Sequence, residues 1–90
     1  MHARARVARN VRRLRVEAGI SQEMLAVDAK VQTAHLSRIE RQLSNPTLDV
    51  LTRIANALDC YIAQLFAQPS STSEAQNLRK GRKPRKASRR

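Results

Sequence analysis

Residues 21–47 read SQEMLAVDAKVQTAHLSRIERQLSNPT, and this stretch decides the fold. Ser21 can cap a helix with its side-chain oxygen, and Glu23 falls in the first turn, where the helix dipole favours an acid. The helical pattern breaks at residues 29–31, and another short helix is expected over residues 32–41. The stretch therefore predicts two short helices that are separated by a tight turn.

The sequence on either side predicts three further helices. Residues 3–18 place apolar side chains at helical spacing, and Gly19 follows, which ends a helix readily because glycine adopts the left-handed conformation without strain. After a loop at residues 42–46, Thr47 caps a fourth helix, and a short fifth helix is expected over residues 62–66. The expected core-facing residues of the first and fourth helices are Val7, Val11, Leu14, Ala18, Leu48, Leu51, Ile54, Ala55 and Leu58. No strand-like alternation occurs, so the predicted fold is all-α, a compact five-helix bundle.

The charge of the chain indicates the class of its partner. The formal net charge of the 90 residues is +11. Residues 79–90 hold eight Lys or Arg and no acidic residue, whereas residues 1–78 hold ten Lys or Arg against seven Asp or Glu. Such a balance favours a polyanion, nucleic acid first and an anionic membrane surface second.

Other features exclude several classes of protein. One cysteine, Cys60, cannot form an intramolecular disulfide, which fits a reducing cytoplasm. No apolar run approaches the roughly 20 residues that span a bilayer, and the basic N-terminus lacks the apolar stretch of a secretory signal. The histidines and the cysteine lack metal-ligand spacing, and no catalytic constellation occurs, so we expect no enzyme, metal or cofactor. We interpret Cys60 as an apolar filler and His35 as a packing or phosphate-binding residue.

A helical wheel divides residues 32–41 into two faces. Leu36 and Ile39 point one way and belong to the core. The opposite face carries Thr33, Ala34, Ser37 and Arg38. An α-helix fits the major groove of DNA, where each base pair displays a distinct pattern of donors and acceptors. Two short helices and a tight turn inside a helical bundle are the plan of a DNA-reading helix-turn-helix.

The order of these elements is specific. The chain closely resembles the lambda-repressor-like (Cro/cI-type, XRE-like) helix-turn-helix family. The resemblance is carried by residues 21–26, Val31, residues 36–41 and residues 45–48. The resemblance covers roughly residues 7–66, and several separated elements match in order and spacing. It implies a sequence-specific regulator of transcription that binds double-stranded DNA.

The resemblance implies a role for each residue at a matching position. Thr33, Ala34, Ser37 and Arg38 would face base edges, and Arg38 can bind a guanine through two parallel hydrogen bonds. Phosphates would be contacted by Gln22, Arg41, Ser44 and Asn45. Arg15 would pair with Glu40 and fix the angle of the reading helix. The family commonly has glycine where this chain has Lys30, Gln42 and Asp59, so strain is expected at these turns.

Oligomeric state and partner remain separate questions. Tyr61, Ile62, Leu65 and Phe66 offer more apolar surface than one short helix can bury, which predicts a homodimer on a near-palindromic operator. A different class of function is a protein-interaction module of this fold that sequesters another regulator, and a toxin's antitoxin would combine both activities. Since no ligand-binding domain follows the motif, we expect no small-molecule effector.

Residues 67–90 differ in character from residues 1–66, the expected DNA-binding domain. They are polar at first and then strongly basic, so they cannot bury enough surface to offset the entropy of ordering. We predict a disordered linker and basic tail. The tail is interpreted as a non-specific DNA arm, with a merely solubilising tail or a membrane or protein contact as the alternatives. A DNA arm would strengthen binding to all sequences about equally, since phosphates look alike along the duplex.

Overall fold

The fold is taken from a computed structural model of the protein, in which residues 2–68 are described. Four α-helices and a C-terminal 3₁₀ turn follow one another: α1 (Ala3–Ala18), α2 (Gln22–Ala29), α3 (Thr33–Glu40), α4 (Leu48–Ala57) and the 3₁₀ turn (Ile62–Phe66). The predicted all-α class is confirmed. The predicted linker and basic tail lie almost wholly in residues 69–90, outside the described residues.

The prediction of a fifth α-helix is wrong, because Ile62–Phe66 forms a 3₁₀ turn. The amide of Gln64 donates to the carbonyl three residues earlier, at 2.9 Å. A segment of five residues forms too few α-helical hydrogen bonds, which join each amide to the carbonyl four residues earlier, to offset the free-energy cost of nucleating an α-helix. The buried Asn10 side chain of α1 serves the end of this turn, since its Nδ2 donates to the carbonyls of Leu65 (3.0 Å) and Ala67 (2.9 Å).

The helix ends lie where the capping residues predict them. Ser21 Oγ accepts a hydrogen bond from the Met24 amide at 3.0 Å, and Thr47 Oγ1 accepts one from the Val50 amide at 3.1 Å. Gly19 ends α1 in the left-handed conformation, with a φ of 75°. These caps satisfy amides that a helix leaves without a partner in its first turn.

The core is aliphatic and draws on every helix and on the 3₁₀ turn. Its larger side chains are Val7, Val11, Leu25, Leu36, Ile39, Leu51, Ile54, Leu58 and Leu65. Cys60 is buried among them, as the interpretation of a filler requires, and Leu14 is partly buried. The prediction of burial is wrong for two residues: Ala18 is exposed, and Leu48 keeps 69% of its surface exposed. Ala18 is the last residue of α1 and Leu48 is the first residue of α4, and at these helix ends neighbouring elements cover little of the side chain.

Three turns in the left-handed conformation are occupied by residues other than glycine. Lys30 (φ 59°) ends α2, Gln42 (φ 64°) follows α3 and Asp59 (φ 60°) follows α4. These are the positions where the resemblance leads one to expect glycine. Each costs of order 1 kcal/mol, because the Cβ atom crowds the backbone there. The chain therefore keeps the backbone path of a glycine turn and carries the strain.

A buried network fixes the end of α3 against two other helices. Glu40 has a side chain only 3% exposed, and its Oε2 accepts from Arg15 Nε at 2.7 Å. Its Oε1 accepts from Arg15 Nη2 at 3.1 Å and from Gln22 Nε2 at 3.0 Å. Arg15 belongs to α1 and Gln22 begins α2. Because the ion pair is bidentate, it sets the direction of α3 as well as its distance.

Gln42→Gly is expected to stabilise the protein by about 0.5–1 kcal/mol, because it relieves the strain of the left-handed turn and loses part of that gain to a more flexible unfolded chain. The free energy of unfolding from urea denaturation measures the effect. Gln42→Ala is the matched control and should not stabilise, since alanine keeps the Cβ atom. Equal stabilisation by both variants would contradict strain at this turn.

Glu40→Ala is expected to lower the free energy of unfolding by about 3 kcal/mol, since it leaves the shielded Arg15 guanidinium without its counter-charge. A double-mutant cycle with Arg15→Ala should give a coupling of about 1–3 kcal/mol. Urea denaturation of the wild type, both single variants and the double variant provides the numbers. A coupling close to zero would show that the pair does not act as a unit.

Candidate nucleic-acid interface

One face of α3 is turned to solvent and the other is buried. Leu36 and Ile39 are 0% and 1% exposed, respectively. The opposite face carries the four expected base-reading residues, Thr33, Ala34, Ser37 and Arg38. Ser37 is half-buried and the other three are exposed. The helix therefore presents a polar strip with one guanidinium, which can donate two parallel hydrogen bonds to a planar acceptor.

Three of the four expected phosphate-binding residues, Arg41, Ser44 and Asn45, lie in the segment directly after α3. Arg41 ends the helix and is exposed, as is Asn45. The Leu43 amide donates to the carbonyl of Arg38 at 2.8 Å, which ties the start of the loop to the helix. Ser44 is half-buried, with its Oγ 3.0 Å from His35 Nε2. His35 is thus a hydrogen-bonding residue at the edge of the interface.

Gln22, the fourth expected phosphate ligand, lies at the first residue of α2. Its side chain is already engaged, since Nε2 donates to the buried carboxylate of Glu40. A primary amide has two donor hydrogens, so one of them remains for an external acceptor. The network that orients α3 therefore also orients Gln22, a link that the sequence did not reveal.

The N-terminus of α1 adds one guanidinium and one imidazole to this region. His2 and Arg4 line the rim of a largely apolar surface groove together with Ser44 and Asn45 of the loop, and Leu48 and Phe66 are among its apolar walls. α1 carries six arginines, at positions 4, 6, 9, 12, 13 and 15. The structure distinguishes Arg4 from the others, because the beginning of α1 lies against the loop that follows α3.

The four residues assigned to a dimer surface are divided by the structure. Leu65 is 0% exposed and belongs to the protein's own core, and Ile62 packs partly against that core. The assignment of Leu65 to an exposed surface was wrong, because the 3₁₀ turn packs on α1 and α4 and buries it. Tyr61 and Phe66 remain available, with 51% and 36% of their surface exposed.

Sequence reasoning missed two polar residues with structural roles. Asn10 is fully buried, where its Oδ1 accepts from Arg13 at 2.6 Å and its Nδ2 holds the end of the 3₁₀ turn. The available signal was its position three residues after Val7, inside the apolar stripe. Arg53 Nε of α4 donates to the carbonyl of Ala29 at 3.1 Å and so caps α2, for which no local pattern gives notice.

The described part of the chain, residues 2–68, has neither a candidate membrane span nor a cluster of metal-ligating side chains. No helix there is both long and apolar enough to cross a bilayer. In the same part of the chain, no three His, Cys, Asp or Glu side chains are grouped as metal ligands would be.

Comparison with known proteins identifies the family. A helix-turn-helix family model matches residues 11–65. The chain is 35% identical over 72 residues to an uncharacterized HTH-type transcriptional regulator of Mycobacterium tuberculosis. That match covers 74% of this chain and 51% of the relative, so the chain spans about half the length of the curated relatives it matches.

Solved structures agree in fold and in motif. A hypothetical transcription factor from Neisseria, NHTF, superposes with a TM-score of 0.75 and 34% identity, over 86% of this chain and 85% of that one. The N-terminal DNA binding domain of SinR from Bacillus subtilis gives 0.67 and 30%, over 72% and 96%. SinR in complex with SinI gives 0.69 and 30%, over 82% and 75%.

One family assignment follows from the α2–α3 pair, the buried Glu40 network and these matches. The family and these relatives are regulators of transcription, which are not enzymes, as the sequence predicted. The chain belongs to the lambda-repressor-like helix-turn-helix family of transcriptional regulators.

Proposed function

We propose that this protein binds double-stranded DNA in a sequence-specific way and regulates transcription as a dimer on a near-palindromic operator. One observation carries the proposal: α3 has an outward polar strip directly opposite the fully buried Leu36 and Ile39. A helix with this division can enter the major groove without disturbing the core. The protein would act in the cytoplasm.

Base reading falls to the outward strip of α3. The Arg38 guanidinium binds O6 and N7 of a guanine, and this pair contributes about 1–3 kcal/mol of discrimination. The Thr33 and Ala34 methyl groups suit a thymine methyl, and the Ser37 hydroxyl suits a base or a phosphate. Gln22, together with the loop residues Arg41, Ser44 and Asn45, holds phosphates and sets the register of the helix.

A dimer would form through the end of the molecule that carries the 3₁₀ turn. Tyr61 and Phe66 keep large exposed apolar surfaces there, and such side chains are favoured in protein interfaces. A two-fold axis at this end predicts two half-sites about one helical turn of DNA apart, roughly 34 Å. The operator would then mirror the symmetry of the protein.

Selection of bound sequences from random duplex DNA by the purified full chain tests the function directly. We expect a preferred sequence that appears twice, inverted, with centres separated by one helical turn. A preferred half-site without an inverted partner would remove the dimer and retain sequence-specific binding. Binding without any preferred sequence would contradict the proposed function.

A protein-interaction module is the second candidate. SinR, whose domain this chain resembles, is known in complex with SinI. On this chain Met24 and Val27 of α2 are 53% and 74% exposed, and exposed apolar side chains side by side suit a protein partner. Failure to select any DNA sequence, together with tight binding of a protein encoded by a neighbouring gene, would favour this candidate.

Arg38→Ala is expected to lower the affinity for the selected operator by about 1–3 kcal/mol while random duplex binding changes far less, because the lost contact is to a base edge. Fluorescence anisotropy with both duplexes gives the ratio of affinities. Arg41→Ala is the comparison variant and should weaken both duplexes alike, since a phosphate contact is independent of sequence. The assignment fails if Arg38→Ala also weakens both duplexes equally.

Tyr61→Glu is expected to abolish two-fold association, because it introduces a charge into the proposed apolar contact. Binding to a full operator should lose its cooperativity, and binding to an isolated half-site should be unchanged. Val16→Glu is the matched control, since Val16 is similarly exposed (56%) at the far end of α1. Sedimentation of the DNA complexes measures the stoichiometry, and a Tyr61→Glu complex that still holds two protomers would contradict this interface.

A further inference from the structure

A side-chain hydrogen bond joins the middle of α3 to the loop that follows it. His35 Nε2 lies 3.0 Å from Ser44 Oγ, and both residues are partly buried. Among the described residues, Leu43 makes the last backbone hydrogen bond before the loop, and the next fixed point is the Thr47 cap of α4. The hydroxyl of Ser44 is therefore held by His35, between two segments that are fixed by their own backbones.

The direction of this hydrogen bond decides what Ser44 can do. A hydroxyl has one hydrogen to donate. An imidazole Nε2 either carries a hydrogen and donates a hydrogen bond, or carries none and accepts one. When Ser44 donates to Nε2, the hydrogen is used, and only oxygen lone pairs face outward. When Nε2 carries the proton and donates, the Ser44 hydrogen is released to an external acceptor. A phosphate accepts hydrogen bonds and has none to give, so it is compatible with the second arrangement alone.

The charges around the pair suit an anion. On α3 itself, Arg38 and Arg41 follow three and six residues after His35 and are exposed. From α1, His2 and Arg4 line the groove that Ser44 also lines. The loop contributes no acidic residue between residues 41 and 48. A phosphate that approaches Ser44 from this groove therefore meets the Arg4 guanidinium, and Arg41 lies three residues before Ser44 in the chain.

We propose that His35 is a positioning residue for the DNA backbone: with its proton on Nε2, it donates to Ser44 Oγ and directs the Ser44 hydroxyl hydrogen at a phosphate. This inference rests on the proposed function of DNA binding. His35 touches no base or phosphate itself and acts only through Ser44. DNA binding thereby selects the donating form of the imidazole, and the contact strengthens operator and random duplexes alike.

Four variants of the full chain test the coupling: Ser44→Ala, His35→Phe, the double variant and His35→Gln. Phenylalanine retains an aromatic ring of similar bulk and removes the hydrogen bond, whereas glutamine restores a donor. We expect Ser44→Ala and His35→Phe each to weaken operator and random duplexes by about ten-fold, the size of one hydrogen bond to a charged group. The double variant should be no weaker than either single one, and His35→Gln should recover most of the affinity. Thermal unfolding of each variant shows that the fold is retained.

Different outcomes test DNA binding itself and the role of His35. Wild-type protein that binds no duplex contradicts the proposed function and this inference together. A wild type that binds, and that Arg41→Ala weakens, establishes an assay sensitive to phosphate contacts. If His35→Phe then leaves the affinity unchanged, or if the losses from His35→Phe and Ser44→Ala add fully, His35 does not position Ser44 and the inference is overturned.

The protonation of the ring can be read without any substitution. Imidazole ¹⁵N shifts of the wild-type protein, free and bound to duplex DNA, report which ring nitrogen carries hydrogen. In the complex we expect the pattern of a protonated His35 Nε2. A complex in which Nε2 is unprotonated would overturn the inference, and it would do so even if every variant folded poorly.

Discussion

The buried carboxylate of Glu40 is the constraint on which the rest of the structure depends. Removing a carboxylate from water costs several kcal/mol, and this cost is offset only if donors surround it in good geometry. Arg15 supplies two parallel N–H groups and Gln22 supplies a third, at 2.7 to 3.1 Å. Because these donors belong to α1 and α2, satisfying one charge fixes three helices at once. The end of α3 therefore has little freedom to tilt, as the proposed reading of bases by this helix requires.

The same network distinguishes a buried, paired arginine from the exposed arginines. Glu40 neutralises Arg15 inside the fold, so that arginine is unavailable to an external anion. The guanidinium groups of Arg38 and Arg41 stay exposed on α3 and at its end, and Arg4 at the start of α1 lines a groove with Ser44 and Asn45. Exposed guanidinium groups therefore remain on α3 and directly after it, where the proposed function needs them.

The fold tolerates strained backbone at three of its turns. The chain accepts left-handed backbone at Lys30, Gln42 and Asp59 without glycine, at a cost of order 1 kcal/mol each. At the first of these turns, α2 has no basic residue of its own in its last turn, and Arg53 of α4 reaches across to the carbonyl of Ala29. Tertiary contacts hold a backbone path that local preference alone disfavours. α3 keeps its place although the turns on either side of it lack the glycine that would adopt this backbone most easily.

The sequence by itself determined the features that depend on neighbours along the chain. Caps such as Ser21, the period of the apolar stripes and the pattern around Val31 are local, so residue spacing predicted the four α-helices and the outer strip of α3, although it also predicted a fifth α-helix where a 3₁₀ turn forms. The extent of burial depended on what lies opposite each residue in space. Leu65 and Leu48 have similar apolar side chains, yet the first is fully buried and the second is mostly exposed, because only one of them lies against other elements. The hydrogen bonds of Asn10, with partners 55 and 57 residues away, are likewise invisible to local pattern. Tertiary structure decided these points, since side-chain periodicity identifies a face but not the partner that covers it.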